Sequence, residues 1–349
     1  MTNDNYLIPE TATIKEAYVR LNKLPGYRLN LFVTDNNRRL IGSITDGDLR
    51  RAIVAGCTLD SKICDIMKKE FIFLFESEIN ALSFKEMKES SNITLLPILD
   101  HNHHLVELID LRAYKSMLPI DAVLMAGGKG ERLRPLTDNT PKPLLKVGDK
   151  AIIDHNIDRL LSYGIKHISV TVNYLKELLE EHFSEPKNGV KVNTVREPRY
   201  LGTIGSVKFV ETFHNDTILV MNSDLFTNVN YEDFYLDFLK SEADMSVAAI
   251  PYSVSIPYGI LEIEEDLITA LAEKPTYDYY ANAGLYLIKK EMLSLIPDNE
   301  FFNATDLIEL LISRGLKVIR FPITGYWIDI GKNEDYKKAN ELVRHITEK

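Results

Sequence analysis

The chain has 349 residues and a mass of 39.8 kDa, more than one ordinary domain holds, so two domains are expected. A hydrophobic fraction of 45 % and a charged fraction of 26 % exclude a disordered chain, and 17 Gly and 14 Pro without a G-x-y period exclude a collagen-like rod. A net charge of −10 excludes a general binder of nucleic acid or of anionic membrane. Two cysteines, Cys57 and Cys64, build neither a disulfide framework nor a four-ligand zinc site. There is no basic segment leading into an apolar one at the start, and no run of about eighteen apolar residues anywhere, so a cytoplasmic protein without a membrane span is expected.

The first section repeats itself. Residues 31–45, LFVTDNNRRLIGSIT, match residues 96–110, LPILDHNHHLVELID, at an offset of 65. Each copy joins two β-rich apolar runs by a polar turn opening at Asp35 or Asp100, which predicts a β-hairpin. A helix-like stretch lies upstream of each, near 14–24 and 79–89. Two imperfect copies, about 1–60 and 61–118, therefore predict a pseudo-twofold pair of αββα units. After the first hairpin, Thr45-x-x-Asp48 predicts a helix start, with Thr45 as its cap and Asp48 near the positive helix end.

This section resembles a tandem CBS pair, whose members bind adenosyl nucleotides through a Thr/Ser-x-x-Asp at this place. The resemblance implies an adenine nucleotide at Thr45 and Asp48, although a helix cap alone accounts for the same two residues. The second repeat departs, with Asp110 where Thr45 stands and no acid three residues later. A nucleotide is therefore expected in one half only, and the pair serves either regulation or assembly. The run His101 to His104 falls at the second hairpin turn and is read as a turn, not a metal site.

Leu118-Pro119 is the expected boundary, dividing a smaller α+β section, 1–118, from residues 119–349. Beyond it IDAVLMAG is a continuous apolar run suited to a strand buried on both faces. Residues 152–163 carry helical spacing that stops at Gly164, followed by HISVTVNY as a strand. DTILVMNSD, ADMSVAAIP, AGLYLIK and LKVIRFPI read as further strands, with helices such as 306–313 between them, and NEDYKKANELVRHI reads as a closing charged amphipathic helix. The alternation predicts an α/β domain with a mostly parallel sheet, whose ligands sit beyond the C-terminal strand ends.

The charge divides unevenly at that boundary. Lys and Arg number 15 against 16 Asp and Glu before it, and 26 against 35 after it. Yet Lys129, Arg132, Arg134, Lys142, Lys146 and Lys150 fall within 22 residues of the acidic part, among only three acids. A local excess of cations in an acidic domain points to a small anionic ligand. Gly127, Gly128 and Gly130, directly after a buried strand, let successive N–H groups approach an anion closely. Arg132 offers a planar fork for phosphate oxygens, and the flanking Pro141 and Pro143 stiffen the segment that holds Lys142.

The stretch 125–153 resembles the signature of sugar-1-phosphate nucleotidyltransferases, and the resemblance extends over essentially all of 119–349. It implies a Rossmann-like, GT-A-like domain, with Met125, Ala126, Gly127, Gly128 and Gly130 on the nucleotide, Arg132 on the triphosphate and Lys142 on phosphate near the reacting centre. EPRYLGTIGSV matches the family block that lies against base and ribose through Glu197, Leu201, Gly202, Thr203 and Gly205, with Tyr200 in place of a proline and Ile204 in place of an alanine. Glu197 can accept from the N1–H and exocyclic amine of guanine, hold a ribose hydroxyl, or pair with Arg199. In ILVMNSDLF and GYWIDIGKN, Asp224 and Asp329 match the two metal acids, which implies Mg²⁺. Tyr258, Gly259, Glu273, Lys274, Asn282, Gly284 and Tyr286 match the sugar-phosphate side. Trp327 is read as packing behind Asp329.

These matches imply Mg²⁺-dependent transfer of a nucleotidyl group from a nucleoside triphosphate to a sugar 1-phosphate, releasing pyrophosphate, by a homo-oligomeric cytoplasmic enzyme. A CBS pair ahead of such a domain resembles bacterial guanylyltransferases that activate amino or nonulosonic (legionaminic) acid sugars for surface glycans. GTP with glucosamine 1-phosphate or a related hexose 1-phosphate is the expected pair, with thymidylyl, uridylyl and cytidylyl transfer as alternatives. A non-catalytic nucleotide-sensing subunit is a further alternative, against which the joint presence of Arg132, Lys142, Asp224 and Asp329 argues. A glycosyltransferase would show Asp-x-Asp at the metal strand, where this chain has Asn222-Ser223-Asp224. No hexapeptide repeat follows residue 331, which disfavours an appended β-helix.

Overall fold

The computed structural model describes residues 3–24, 29–90 and 93–347. The chain divides into two compact units, Met1–Met117 and Leu118–Lys349.

In the first unit β1 (Leu7–Pro9) leads to α1 (Ile14–Leu21), β2 (Asn30–Thr34), β3 (Leu40–Thr45) and α2 (Asp46–Val54). The second half runs through β4 (Leu74–Phe75), α3 (Ala81–Ser90), β5 (Leu95–Leu99) and β6 (Leu105–Asp110). Each half is a three-stranded sheet in which the first strand lies parallel and the third antiparallel to the middle one. The hairpins superpose in register as the sequence repeat requires. Asn30 pairs Thr45 as Leu95 pairs Asp110, and both ladders break at the same place, between Val33 and Thr34 and between Ile98 and Leu99. The two turns also meet, since Leu40 N–H donates to the His103 carbonyl. His101 and His103 face the rings of Phe73 and Phe75.

The expected αββα pair is corrected in one respect. Among the described residues no helix follows β6 within the first unit. Thr45 starts α2 with a capping box, its Oγ1 accepting from Asp48 N–H while Asp48 accepts from Thr45 N–H. At the equivalent place Asp110 accepts from Arg112 N–H two residues on, forming a local turn that competes with a helix start. Ala113 then stands where a reciprocal acid would complete the box.

The second unit opens with β7 (Ile120–Met125), then β8 (Lys146–Val147), β9 (Lys150–Ala151), α4 (Ile152–Ser162), β10 (His167–Val172), α5 (Lys176–His182) and β11 (Val192–Arg196). It continues through β12 (Thr217–Asn222), β13 (Leu225–Thr227), α6 (Tyr231–Ser241), β14 (Met245–Ser255), β15 (Ile260–Glu264), β16 (Leu267–Ala272) and β17 (Thr276–Lys289). It closes with α7 (Ala304–Ser313), β18 (Val318–Pro322), β19 (Trp327–Asp329) and α8 (Asn333–Thr347).

Seven strands form one sheet in the order β11-β10-β7-β12-β17-β14-β18. β17 alone runs against its two neighbours, so the sheet is mixed and mostly parallel, as the strand–helix alternation predicts. The interior strand β7 is buried through Leu124, apolar but for Asp121, because layers cover both of its faces. One layer gathers Val123, Ile218, Val220 and Ile288 against Leu307 and Leu311 of α7. A smaller cluster joins Leu133, Val147, Phe226 and Ile330 to Ala339 and Val343 of α8. That cluster matters for function, because it fastens the segments carrying Arg132, Asp224 and Asp329 to one another.

Candidate active site at the carboxyl ends of the parallel strands

Four parallel strands, β7, β10, β11 and β12, release their chains into one cavity of about 660 Å³. Met125 ends β7 and leads into Ala126, Gly127, Gly128 and Gly130; Asn173 follows β10, Glu197 follows β11, and Asn222 and Asp224 close β12. This is the position that open α/β sheets offer to ligands. Ala126 N–H donates to the Thr171 carbonyl, and Ser223 Oγ donates to the Met125 carbonyl at 2.7 Å, so the loop is tied to both flanking strands.

Two glycines of the loop have distinct physical reasons. A Cβ on Gly127 would run into Glu197 Oε1, so the carboxylate packs where a side chain would stand. Gly128 has nothing within 4 Å of a Cβ, leaving its backbone open toward the cavity. Further along, Gly202 has φ +81° and its Cβ would lie 2.6 Å from the Phe302 carbonyl. Phe302 in turn accepts from Ile204 and Gly205 N–H groups, and Thr203 Oγ1 accepts from Ala304 N–H. The 201–205 segment is thus clamped onto the approach to α7.

Glu197 is 5 % exposed. Burial pushes its carboxyl up from the usual range, partly opposed by the hydrogen bond from Leu201 N–H and by the polar side chains of Ser206, Thr171 and Asn173 nearby. Arg199 turns away and donates to the Asn299 carbonyl at 2.6 Å, so the pairing with Glu197 considered from sequence is not made. Tyr200 lines the cavity and stands edge-on to Phe301, with ring centroids 5.8 Å apart.

The charged end of the cavity holds Lys142 ion-paired to Asp224, with Asp329 Oδ1 at 3.9 Å from the same ammonium. Burial raises the Asp329 carboxyl, the negative charge of Asp224 raises it further, and Lys142 and Arg132 pull it back. Arg132 lies against Gly331, where a Cβ would come within 3.3 Å of its guanidinium. The two acids are brought together by a short antiparallel ladder in which Leu225 of β13 pairs Asp329 of β19. Ile330 N–H also donates to the Asp224 carbonyl. Trp327 Nε1 donates to the Ala283 carbonyl at 2.9 Å, holding β19 near the β17 strand.

Of the residues singled out from sequence, Met125, Ala126, Gly127, Gly128, Gly130, Arg132, Lys142, Glu197, Gly202, Thr203 and Asp224 line the cavity, and Asp329 adjoins it through Lys142. Gly284 reaches it through Asn222, since its Cβ would fall 2.5 Å from the Asn222 amide. Asn282 donates to the Tyr286 hydroxyl and accepts from Gly284 N–H. Tyr258, Gly259, Glu273 and Lys274 do not line the cavity; they lie beside the exposed β15–β16 hairpin, with the Glu273 carboxylate 3.0 Å from a Cβ on Gly259. Asn173, Asn222 and Gly331 line it without having been singled out. Asn173 and Asn222 were findable as polar residues at the ends of buried strands.

A model of the family described as nucleotidyl transferase matches residues 121–345. The chain belongs to the nucleotidyl transferase family. A CBS domain model matches residues 1–55. Among curated relatives, the mannose-1-phosphate guanylyltransferase of Mycobacterium tuberculosis is 31 % identical over 65 % of this chain and 66 % of its own length. The bifunctional protein GlmU of Methanocaldococcus jannaschii is 31 % identical over 64 % of this chain and 54 % of its own. The chain thus spans a little over half to just under two thirds of these two relatives. Among solved structures, one described as a glucose-1-phosphate thymidylyltransferase of Bacillus anthracis, in complex with sucrose, matches with a TM-score of 0.51 and 25 % identity, over 64 % of this chain and 95 % of that one.

Within this nucleotidyl transferase domain the donor set suits a hard divalent cation. Asp224 Oδ1 is buried without a hydrogen-bond partner. Among the described residues no cluster of three or more His, Cys, Asp or Glu groups forms a cage. One or two carboxylates plus substrate phosphates and water is the coordination that Mg²⁺ takes, so the residues present fit it. No helix among the described residues is long and apolar enough to cross a membrane.

In the N-terminal unit Thr45 and Asp48 are engaged with each other. Asp48 also accepts from Arg51 at 2.6 Å and lies 3.7 Å from Lys68. Burial pushes the Asp48 carboxyl up, and the Thr45 hydrogen bonds followed by Arg51 and Lys68 outweigh it, leaving it below the usual range.

Proposed function

We infer that this chain transfers a guanylyl group from GTP to a hexose 1-phosphate, giving a GDP-sugar and pyrophosphate. The observation that carries the choice of base is Glu197, a buried carboxylate under Gly127 at the cavity wall. An ionised carboxylate only accepts hydrogen bonds. Guanine presents two adjacent donors, N1–H and the exocyclic amine, which such a group accepts together. Uracil and thymine present one donor between two carbonyls, and cytosine and adenine a donor beside an acceptor, so each would aim a lone pair at the carboxylate. Tyr200 offers the ring on which the base stacks.

In the reaction a sugar-phosphate oxygen attacks the α-phosphorus, a new P–O bond forms, and the bond to the β-phosphate oxygen breaks as pyrophosphate leaves. The nucleophile is already anionic, so no general base is required. Catalysis then rests on positioning and on charge placed where it develops. The Gly127–Gly128 backbone holds the triphosphate, Arg132 forks onto the leaving pyrophosphate, and Lys142 moves from Asp224 onto the α-phosphate. Asp224 and Asp329 hold Mg²⁺, which when bound supplies positive charge to the phosphate oxygens. Glu273 and Lys274 do not line the cavity, so no role in this reaction is assigned to them. The N-terminal unit is a regulatory or assembly module, with an adenine nucleotide as its ligand.

Pyrophosphate release over a grid of nucleoside triphosphates and sugar 1-phosphates, with and without AMP or ATP, tests this reading. Glucosamine 1-phosphate leads the grid, alongside the mannose and glucose 1-phosphates of the relatives. Turnover with GTP well above UTP, dTTP, CTP and ATP supports it. Preference for another base overturns the role of Glu197, and silence across the grid with GTP still bound favours a nucleotide-sensing subunit.

A further inference from the structure

Asn156 is 1 % exposed on α4, on the face where Ile152, Ile153, Ile157 and Leu160 are buried. A buried amide costs desolvation unless its hydrogen bonds are met. Its Nδ2 donates to the Leu225 carbonyl at 2.9 Å and to the Ser223 carbonyl at 3.2 Å. The Ile152 carbonyl of its own helix stands farther off, at 3.5 Å. Carbonyl oxygens only accept, so the NH₂ end of the amide, not its oxygen, faces this pair. The two carbonyls belong to the residues on either side of Asp224.

The Asp224 carbonyl is held from another side, accepting from Ile330 N–H at 3.2 Å. Ser223 is anchored as well, its N–H and its Oγ both donating to the Met125 carbonyl. The turn between β12 and β13 is therefore fastened to β7, to α4 and to the end of β19, and its fastening to α4 runs through the Asn156 amide. The carboxylate itself is less firmly tied. Asp224 Oδ1 is buried without a hydrogen-bond partner, and the other oxygen meets the mobile end of Lys142. Where the carboxylate stands is thus set by the backbone beneath it, and that backbone is gripped on both sides by one amide.

We propose that Asn156 is a positioning residue, fixing the Asp224 carboxylate where a divalent cation meets it. The inference rests on the reading of Asp224 as a metal acid. Asn156 does not line the cavity and acts only through the Ser223 and Leu225 carbonyls. Groups that orient a metal-binding carboxylate from behind govern metal affinity without touching the ion. Without the amide, two buried carbonyls lose their donor and the turn shifts to find another, carrying Asp224 with it. The glycine loop, which meets the triphosphate through its own backbone, keeps its hold.

The test titrates the full chain calorimetrically with GTP, or with whichever triphosphate the grid selects, once with saturating Mn²⁺ and once with EDTA. The ratio of the two affinities reads the coupling between cation and nucleotide on the protein. In the wild type Mn²⁺ is expected to strengthen binding, and Asp224→Asn to remove most of that gain. Asn156→Leu, similar in shape but without donors, is expected to cut the gain about 10-fold and to leave the EDTA affinity unchanged. Asn156→Ser, whose hydroxyl bonds the Ile152 carbonyl of its own helix instead, acts in the same direction and serves if the leucine variant does not fold. Arg159→Met is the control for a purely structural role, because Arg159 Nη2 ties the same helix to the Val229 carbonyl at 2.6 Å, away from Asp224. It is expected to lower Tm and to leave the ratio unchanged. If Asp224→Asn loses the gain while the Asn156 variants keep it, the proposal is overturned and the metal reading stands. If Asp224→Asn keeps the gain, or the wild type shows none, the metal reading falls and the proposal with it. An equal loss in Arg159→Met also overturns the proposal, since helix packing would then be the cause.

Discussion

Asp224 gives one carboxylate oxygen to the ammonium of Lys142 and leaves the other, Oδ1, buried with no hydrogen-bond partner. A carboxylate so divided is held ready for a second positive group, and an unmet buried acceptor costs on the order of 1–3 kcal/mol. Asp224→Asn and Lys142→Ala are each expected to cut pyrophosphate release about 100-fold or more. Thermal unfolding of each should show a single retained transition, because neither residue belongs to the apolar clusters that hold the sheet. Near-normal turnover by either variant would remove these residues from the chemistry.

Glu197→Gln replaces a pure acceptor by one donor and one acceptor. GTP is expected to lose about 10–100-fold in kcat/KM, equivalent to roughly 1–3 kcal/mol, and UTP or dTTP to gain relative to it. Competition between the bases in one reaction reads the ratio directly. An unchanged ratio would place the guanine edge elsewhere.

Gly202 and Gly128, which both line the cavity, should behave differently. Gly202→Ala puts a side chain at φ +81° and against the Phe302 carbonyl, and is expected to cost about 1–3 kcal/mol. For a domain of this size each kcal/mol lowers Tm by roughly 2–4 °C. Gly128→Ala meets no atom of the protein, so its Tm should stay unchanged while GTP binding weakens, measured by calorimetric titration.

Asp329 sets a pH dependence. Its folded pKa lies above the ordinary aspartate range, through burial and then the neighbouring Asp224 charge, so the proton is bound more tightly in the folded chain. Folding stability is therefore gained as pH falls through that raised value and given up as pH rises past it. Metal binding needs the ionised form, so the acid limb of the rate profile should lie above the range of a free aspartate at low Mg²⁺ and move to lower pH at high Mg²⁺. A limb indifferent to Mg²⁺ would separate Asp329 from the metal.

In the N-terminal unit Thr45→Ala removes the cap of α2 and should cost about 1 kcal/mol, seen as roughly fivefold faster amide exchange over Asp46–Val54. Asp48 has the opposite sign to Asp329. Its depressed folded pKa gives a stabilisation present above about pH 3.9, the unfolded value, and lost as pH falls through the folded one. Asp48→Asn should flatten that loss.

The fold was legible wherever periodicity or repetition marked it. The 65-residue offset marked both hairpins, and the structure adds that their registers and bulges coincide as well, because identical registers need matching apolar patterns on both strands. The buried run of β7 and the strand–helix alternation pointed to the mostly parallel sheet, though not to the reversed β17. What could not be read were contacts made by short or distant pieces. β13 and β19 have three residues each, too few for a period, and their pairing alone brings Asp224 beside Asp329. The meeting of Lys142 with both acids follows from that pairing and from the α8 cluster, neither of which has a local signature. Motif resemblance gathered Tyr258, Gly259, Glu273 and Lys274 into one group, yet nothing local told that they would stand on an exposed arm. The missing last helix of the second repeat was foreshadowed by Asp110, since an acid that turns the chain at once withdraws the donor a helix would use.

The β13–β19 ladder has one more consequence, for the order in which the molecule becomes competent. Glycine loop, Lys142 and Asp224 are all synthesised well before Asp329, which arrives only just ahead of the final helix. Without the β19 strand Asp224 would stand beside Lys142 alone. Only when the last short strand has emerged and zipped onto β13 does the pair of carboxylates exist. The ladder is thus what turns two acids distant in the sequence into one pair.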